Sequence, residues 1–191
     1  MGSRYAGSSL AGYSTNDVVG RVAPVRDERA RIETARAVAE TVVDPELPML
    51  TLADLGVLRD VRLTDAGVEV AITPTYTGCP AMAAMRDDLT RVLQEAGFDD
   101  VKVRVALDEP WTTDWISERG RAALREAGIS APGPAPAGPV TLRLGPVRRD
   151  VTCPRCGSAD TEVTSEFGST ACKALYRCRE CLEPFDHVKE I

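Results

Sequence analysis

Two Cys-x-x-Cys pairs, Cys153-Pro-Arg-Cys156 and Cys178-Arg-Glu-Cys181, stand 21 residues apart near the end of this 191-residue chain. Each pair can close a tight knuckle that aims two thiolates at one point, and two knuckles supply a tetrahedron of sulfur. The gap is slightly longer than the usual spacing of such a site, but a β-hairpin spans it easily. Thr161–Phe167 and Ala174–Arg177 are the expected strands of that hairpin. About fifty residues rarely bury enough apolar surface to fold alone, so a metal would supply much of the folding free energy. Zinc suits four thiolates best, although rubredoxin-like iron or an iron–sulfur cluster would accept the same donors. The last 52 residues, 140–191, are therefore expected to form a zinc ribbon.

The rest of the chain is organised around a boundary. Residues 131–139 hold four prolines and two glycines. This density forbids helix and sheet and reads as a semi-extended linker. Charge changes across it. Residues 27–140 carry 12 basic and 20 acidic side chains, whereas residues 141–191 carry eight of each. The overall charge of -6 thus belongs to the middle segment, and neither part has the basic surface of a nucleic-acid binder. Residues 1–26 are rich in Gly, Ser and Ala, lack an apolar signal core, and are expected to be a disordered tail. No stretch approaches the roughly 20 apolar residues of a membrane span. The expected location is cytoplasmic, where cysteines stay reduced and are read as ligands, reactive thiols or core residues.

The expected fold class is α+β, a small α-β-β-α-β sheet-and-helix domain over residues 27–130 followed by the ribbon. Ile32, Ala35, Val38, Ala39 and Val42 fall at helical spacing over 28–42, and the Asp44-Pro-Glu-Leu-Pro48 run ends that helix. Val57–Leu63 and Val68–Ile72 read as a hairpin closed at Thr64–Gly67, with Glu69 pointing outward. A helix is expected from Pro80 to about Ala96, stopped by Gly97. A strand follows over Val101–Leu107, and then one helix over Trp111–Ala127, with Thr113 as N-cap and Gly128 as stop.

The chemistry-bearing residues outside the ribbon are few. Cys79 follows a strand in Thr75-Tyr-Thr-Gly-Cys-Pro80. With Pro80 at the first helical position it would sit at a helix N-terminus, which lowers a thiol pKa. Thr75 and Thr77 could donate hydroxyl hydrogen bonds there. The plainer alternative is a small residue packed at a strand–helix junction. Asp44 and Glu46 flank Pro45 and could hold a hard metal or act as an acid–base pair. The plainer alternative for them is a helix stop with solvated charges. Trp111 and Trp115 read as packing. Cys172 is left over as core residue, spare ligand or reactive thiol, with inert core the plainer choice. The one histidine, His187, lies beyond the fourth cysteine; a ligand role is open to it but not needed, and a solvated side chain is the plainer choice. A single histidine also argues against a Ser-His-Asp triad or a histidine-rich catalytic centre.

These motifs together bring a resemblance into view. Val43-Asp-Pro-Glu-Leu-Pro48, Asp54-Leu-Gly-Val57, Thr73-Pro-Thr-Tyr-Thr-Gly-Cys-Pro-Ala81 and Pro110-Trp-Thr-Thr-Asp-Trp-Ile-Ser-Glu-Arg-Gly120 resemble the domain of SufT-type proteins and eukaryotic cytosolic iron–sulfur targeting factors. The tail, Cys153-Pro-Arg-Cys-Gly-Ser, Ser165-Glu-Phe-Gly-Ser-Thr-Ala-Cys-Lys-Ala-Leu-Tyr-Arg-Cys178 and Glu183-Pro-Phe185, is similar to that of the PaaD family. That family serves the bacterial phenylacetyl-CoA ring-epoxidising monooxygenase of phenylacetate catabolism. The resemblance implies an accessory or maturation factor for iron–sulfur or di-iron centres, not a catalyst. It implies that Cys79 is the iron or iron–sulfur ligand, with Asp44, Glu46, Thr75 and Thr77 as supporting motif residues. The implied cofactors are Zn2+ on Cys153, Cys156, Cys178 and Cys181 and a transient iron or cluster at Cys79. The implied partners are the oxygenase and iron–sulfur reductase subunits and iron–sulfur carrier proteins. A structural subunit of the oxygenase, with no metal-transfer role, is the alternative.

Overall fold

The structure is a computed structural model that describes residues 23–76, 78–135 and 150–190. The expected tail up to residue 22, Thr77, and the linker from residue 136 lie outside the described residues. The elements run α1 (Ala23–Ala39), β1 (Leu58–Leu63), β2 (Val68–Ile72), α2 (Met82–Glu95), β3 (Val101–Val105), a short 3-10 helix (Thr113–Trp115), α3 (Glu118–Glu126), β4 (Thr161–Ser165), β5 (Lys173–Cys178) and β6 (Pro184–Val188).

All three expected helices differ from expectation, and β3 ends at Val105 rather than Leu107. Helix α1 starts at Ala23, so the last four residues of the expected tail are helical, and it ends at Ala39 rather than Val42. There Val42 turns back to accept the N–H of Leu52, and Val43 pairs with Thr51, which takes the chain out of the helix before the prolines. Helix α2 starts at Met82, so Pro80 lies in the turn before it and not at its first position. The single helix expected over 111–127 is broken. Ile116 is extended, and Ser117 caps α3 by accepting the N–H of Gly120. Thr113 is fully buried and is not the cap; the Thr112 side chain accepts from Asp114 at the 3-10 turn.

The first sheet has the order β1-β2-β3. β1 and β2 are antiparallel across the expected hairpin, and β2 and β3 are parallel, joined by α2 as a crossover. Val68, Val70 and Ile72 point into the core, as their alternation requires. Glu69 points the other way, yet it is only 8% exposed. Its carboxylate is covered by Arg62 of β1, Lys102 of β3 and Arg104 of β3, so both neighbouring strands supply cations. α1 packs on β1, α2 on β3, and the helices touch each other. Between them lie Leu50, Leu52, Leu89, Leu93 and Leu124, all fully buried. Burying each such side chain is worth about 1.5–3 kcal/mol.

One carboxylate organises the loops. Asp54 accepts from the hydroxyls of Thr51 (3.0 Å) and Ser117 (2.7 Å) and from the guanidinium of Arg119 (2.7 and 3.0 Å). This joins the 51–56 turn to the start of α3. Gly56, at φ +69°, lies against Trp115, where an added Cβ would sit 2.5 Å from the Trp115 Cβ. Only glycine takes both that backbone angle and that approach.

The second sheet is antiparallel with the order β4-β5-β6, one strand more than the sequence suggested. Its own core is small: Val151, Cys153, Ala174, Tyr176, Cys178 and Phe185. It does not stand apart. Val188 of β6 belongs to the main core cluster. Ser130 donates its N–H to Asp186 and accepts from Val188, so the end of the first domain pairs with β6. The described start of the linker is pinned as well. Pro132 accepts from Arg121, Gly133 donates to Glu190, and Ala135 donates to Asp114.

Candidate metal sites

The two knuckles close as the spacing required. The Sγ atoms of Cys153, Cys156, Cys178 and Cys181 all lie within 4.8 Å of one another. The cross-knuckle separations are 3.8 Å for Cys153 and Cys181 and 3.5 Å for Cys156 and Cys178. A tetrahedron of sulfurs at the usual zinc bond length of about 2.3 Å has edges of about 3.8 Å. β5 delivers Cys178 at its end, and the backbone N–H of Cys181 points at the Cys178 sulfur, 3.5 Å away. Backbone donation by Cys181 holds the Cys178 thiol down to about 7. Cys156, despite the Ser158 N–H, is pushed up to about 12 because it shares a proton with Cys178. Four packed sulfurs cannot all ionise without a cation, which is the electrostatic condition of a thiolate metal site.

Cys79 lies on the turn between β2 and α2, half-buried. It faces a narrow crevice of about 30 Å³ lined also by Asp44, Glu46, Thr75 and Tyr76. The structure therefore brings together four of the five residues expected around the first site, the fifth, Thr77, being outside the described residues. Asp44 is buried, and its Oδ1 accepts from the N–H groups of Glu46 and Leu47, both at 2.8 Å. This is an Asx-type turn that holds the carboxylate in place. Burial nevertheless raises its pKa, ahead of those hydrogen bonds. Glu46 stays exposed at the rim.

The Cys79 thiol corrects one expectation. Its pKa is raised, not lowered: burial is the main cause, and the negative groups of Asp44, Cys172 and Glu46 add to it. The opposing N–H of Ala81, the residue before the helix starts at Met82, does not offset this. Tyr76 is shifted up in the same way, by burial and by Cys79, Cys172 and Glu46.

The crevice has walls that the motifs did not announce. Trp111 forms one side, with its indole N–H donated to the Leu55 carbonyl at 2.8 Å. Trp115 instead lies under the Arg59 guanidinium, 3.4 Å from the ring centre. Thr170, Cys172 and Lys189 of the ribbon also line the crevice. Cys172 is thus half-buried at a crevice and belongs to neither core cluster. His187 is also relocated. It is 1% exposed, with Tyr176 edge-on at 5.4 Å and Glu190 Oε1 3.3 Å from Nε2. Its signal was legible in the alternation of β6, where Phe185 and His187 share a face.

Comparison with known proteins bears on both sites. The model of the family described as "PaaD zinc beta ribbon domain" matches residues 137–189. A protein of Escherichia coli (strain K12) is 45% identical over 153 residues, 80% of this chain and 89% of its own length; it is named as a subunit of a "Putative 1,2-phenylacetyl-CoA epoxidase". The chain belongs to the PaaD family. In the first domain, the model described as "Iron-sulfur cluster assembly protein" matches residues 32–111. A Bacillus subtilis (strain 168) protein named "Fe-S protein maturation auxiliary factor YitW" is 31% identical over 99 residues, 51% of this chain and 96% of that one. A crystal structure from Bacillus anthracis, described as a domain of unknown function DUF59, is 26% identical with a TM-score of 0.48. It covers 52% of this chain and 96% of that chain. Among the described residues, no helix is long and apolar enough to cross a membrane.

Proposed function

We propose that this protein is a cytoplasmic maturation factor for the iron–sulfur or di-iron centres of a phenylacetyl-CoA ring-epoxidising monooxygenase, and not itself a catalyst. The observation that carries the reading is the crevice at Cys79, where a thiol and the Asp44 and Glu46 carboxylates converge within the segment that matches the assembly family. Iron is the cargo: Cys79 is its thiolate ligand, Asp44 and Glu46 supply negative charge, and Thr75 and Thr77 belong to the same motif. The ribbon, residues 140–191, holds a structural Zn2+ on Cys153, Cys156, Cys178 and Cys181 and presents the docking surface. The separation of 3.5–3.8 Å between opposed sulfurs supports zinc there. Oxygenase or reductase subunits and iron–sulfur carriers are the partners.

Co-expression of the oxygenase system with Cys79→Ala tests this. Expected are a folded, zinc-loaded variant and oxygenase components depleted of iron. Full metal loading of those components would sink the reading. It would leave the second one, a structural subunit in fixed stoichiometry, which is favoured by the name of the Escherichia coli relative.

A further inference from the structure

The sixth cysteine has no role in the reading so far. Cys172 sits in the loop between β4 and β5, outside the zinc tetrad and outside both cores. Its loop is nonetheless held by specific contacts. Its carbonyl accepts the N–H of Lys189 at 2.9 Å, and its sulfur lies 3.1 Å from the Thr170 hydroxyl. Immediately beyond, β6 is clamped to the first domain by the Ser130 pairing and by Val188 in the main core. This clamp places Cys172 among the residues that line the crevice with Cys79.

The crevice then holds two thiols from two domains, two carboxylates and the Tyr76 phenol. Two lysines stand nearby, Lys189 on the crevice wall and Lys173 within range of Asp44, and each also has another partner. The Lys189 ammonium donates to the Ala171 carbonyl and lies 4.4 Å over the Phe167 ring, and Lys173 faces Asp186. Two thiols and two carboxylates offer more donors than these two lysines can neutralise, and soft sulfur donors in a crevice half screened from water favour a thiophilic metal.

We propose that Cys172 is the second thiolate of the iron site, so that Cys79 of the first domain and Cys172 of the ribbon hold ferrous iron between them. The inference rests on the maturation reading and goes beyond it: the site is composite, and undocking the ribbon divides it. Binding is a simple exchange. Each thiol gives its proton to solvent, two iron–sulfur bonds form, and no electron moves. The donors are not drawn as close as the zinc tetrad, since the tetrad alone among the described residues gathers three or more ligand atoms within 4.8 Å. Iron is expected to draw the two loops together.

The test uses the full-length, zinc-loaded chain without oxygen and cobalt(II) as the spectroscopic probe, because zinc outcompetes cobalt in the ribbon. Wild type should show near-ultraviolet sulfur-to-cobalt intensity for two thiolates at one added cobalt. Cys172→Ser and Cys79→Ser should each halve that intensity and weaken binding by about tenfold or more. Zinc content must remain at one per chain. Unchanged intensity and affinity in Cys172→Ser, with loss in Cys79→Ser, would overturn the composite site and leave the maturation reading standing. Loss of neither would overturn both. A second measurement needs no variant. Cobalt should slow alkylation of Cys172 in the wild type, followed by mass spectrometry, and an unchanged rate refutes its ligation.

Discussion

Asp54 is the best place to test whether the loops that build the crevice are held as described. Asp54→Ala removes an acceptor from Thr51, Ser117 and Arg119 together. The three donors do not lose equally. Arg119 is 73% exposed and turns to water, so its share is at most about 1 kcal/mol. Ser117 and Thr51 are half-buried, and each neutral donor to a carboxylate is worth about 1.5–3 kcal/mol before overlap. Ser117 keeps its capping bond to Gly120, which limits the damage to α3. The net expectation is a loss of about 2–4 kcal/mol. The assay is urea unfolding followed by tryptophan fluorescence, because both tryptophans, Trp111 and Trp115, lie beside this turn. pH gives a second handle. Burial alone would raise the Asp54 pKa, but the Ser117 and Thr51 hydrogen bonds and the Arg119 charge bring it below the ordinary 3.8. An acid depressed by folding stabilises above its unfolded pKa and stops doing so as pH falls through the folded one. The gap between wild type and Asp54→Ala should therefore hold at pH 7 and close below about pH 4. A loss under about 0.5 kcal/mol, or a gap indifferent to pH, would refute the account.

Chelating the ribbon metal should release one zinc per chain and make four further thiols titratable. It should lower the unfolding temperature, because the ribbon's own core is six residues, two of them ligands; elemental analysis and thiol titration read this. Cys79 in zinc-loaded protein should alkylate with a pH midpoint above that of a free cysteine, since burial raises it; a midpoint below about 8.5 would contradict the crevice as described. Glu190, pulled down to about 2 chiefly by its contact with His187, stabilises above pH 4.5 and loses that as pH falls towards 2. After solvent screening of a 22% exposed side chain, Glu190→Gln should cost about 1–2 kcal/mol at pH 7, read as a lower melting temperature.

Much of this was legible in residue order, and for physical reasons. Two CxxC pairs admit few arrangements, and strict alternation in Val68–Ile72 or Val101–Val105 fixes a strand face locally. The resemblance of their motifs put Asp44 and Glu46 near Cys79, and all three line one crevice. What stayed hidden depends on the third dimension. The direction of the Cys79 shift turns on burial and on neighbours 35 and 93 residues away in sequence, Asp44 and Cys172. The break at Ser117 is set by Asp54, which takes its N–H and hydroxyl from across the fold. The burial of His187 was misjudged, and the place of Cys172 was left open, for one reason. The proline-rich boundary suggested a ribbon free of the first domain, whereas β6 is seated against it.

That seating has a further consequence for solubility. β6 is the last strand of its sheet, and the outer edge of such a strand offers unpaired N–H and C=O groups to any other chain. Here Ser130 takes up the Asp186 carbonyl and the Val188 N–H. The far edge, β4, is guarded differently, by Glu162 held against Arg179. The residue that ends the first domain thus doubles as an edge guard for the ribbon. A ribbon severed at residue 140 would keep its metal ligands but bare this edge, with Val188 no longer covered, and would be prone to pair with its own copies.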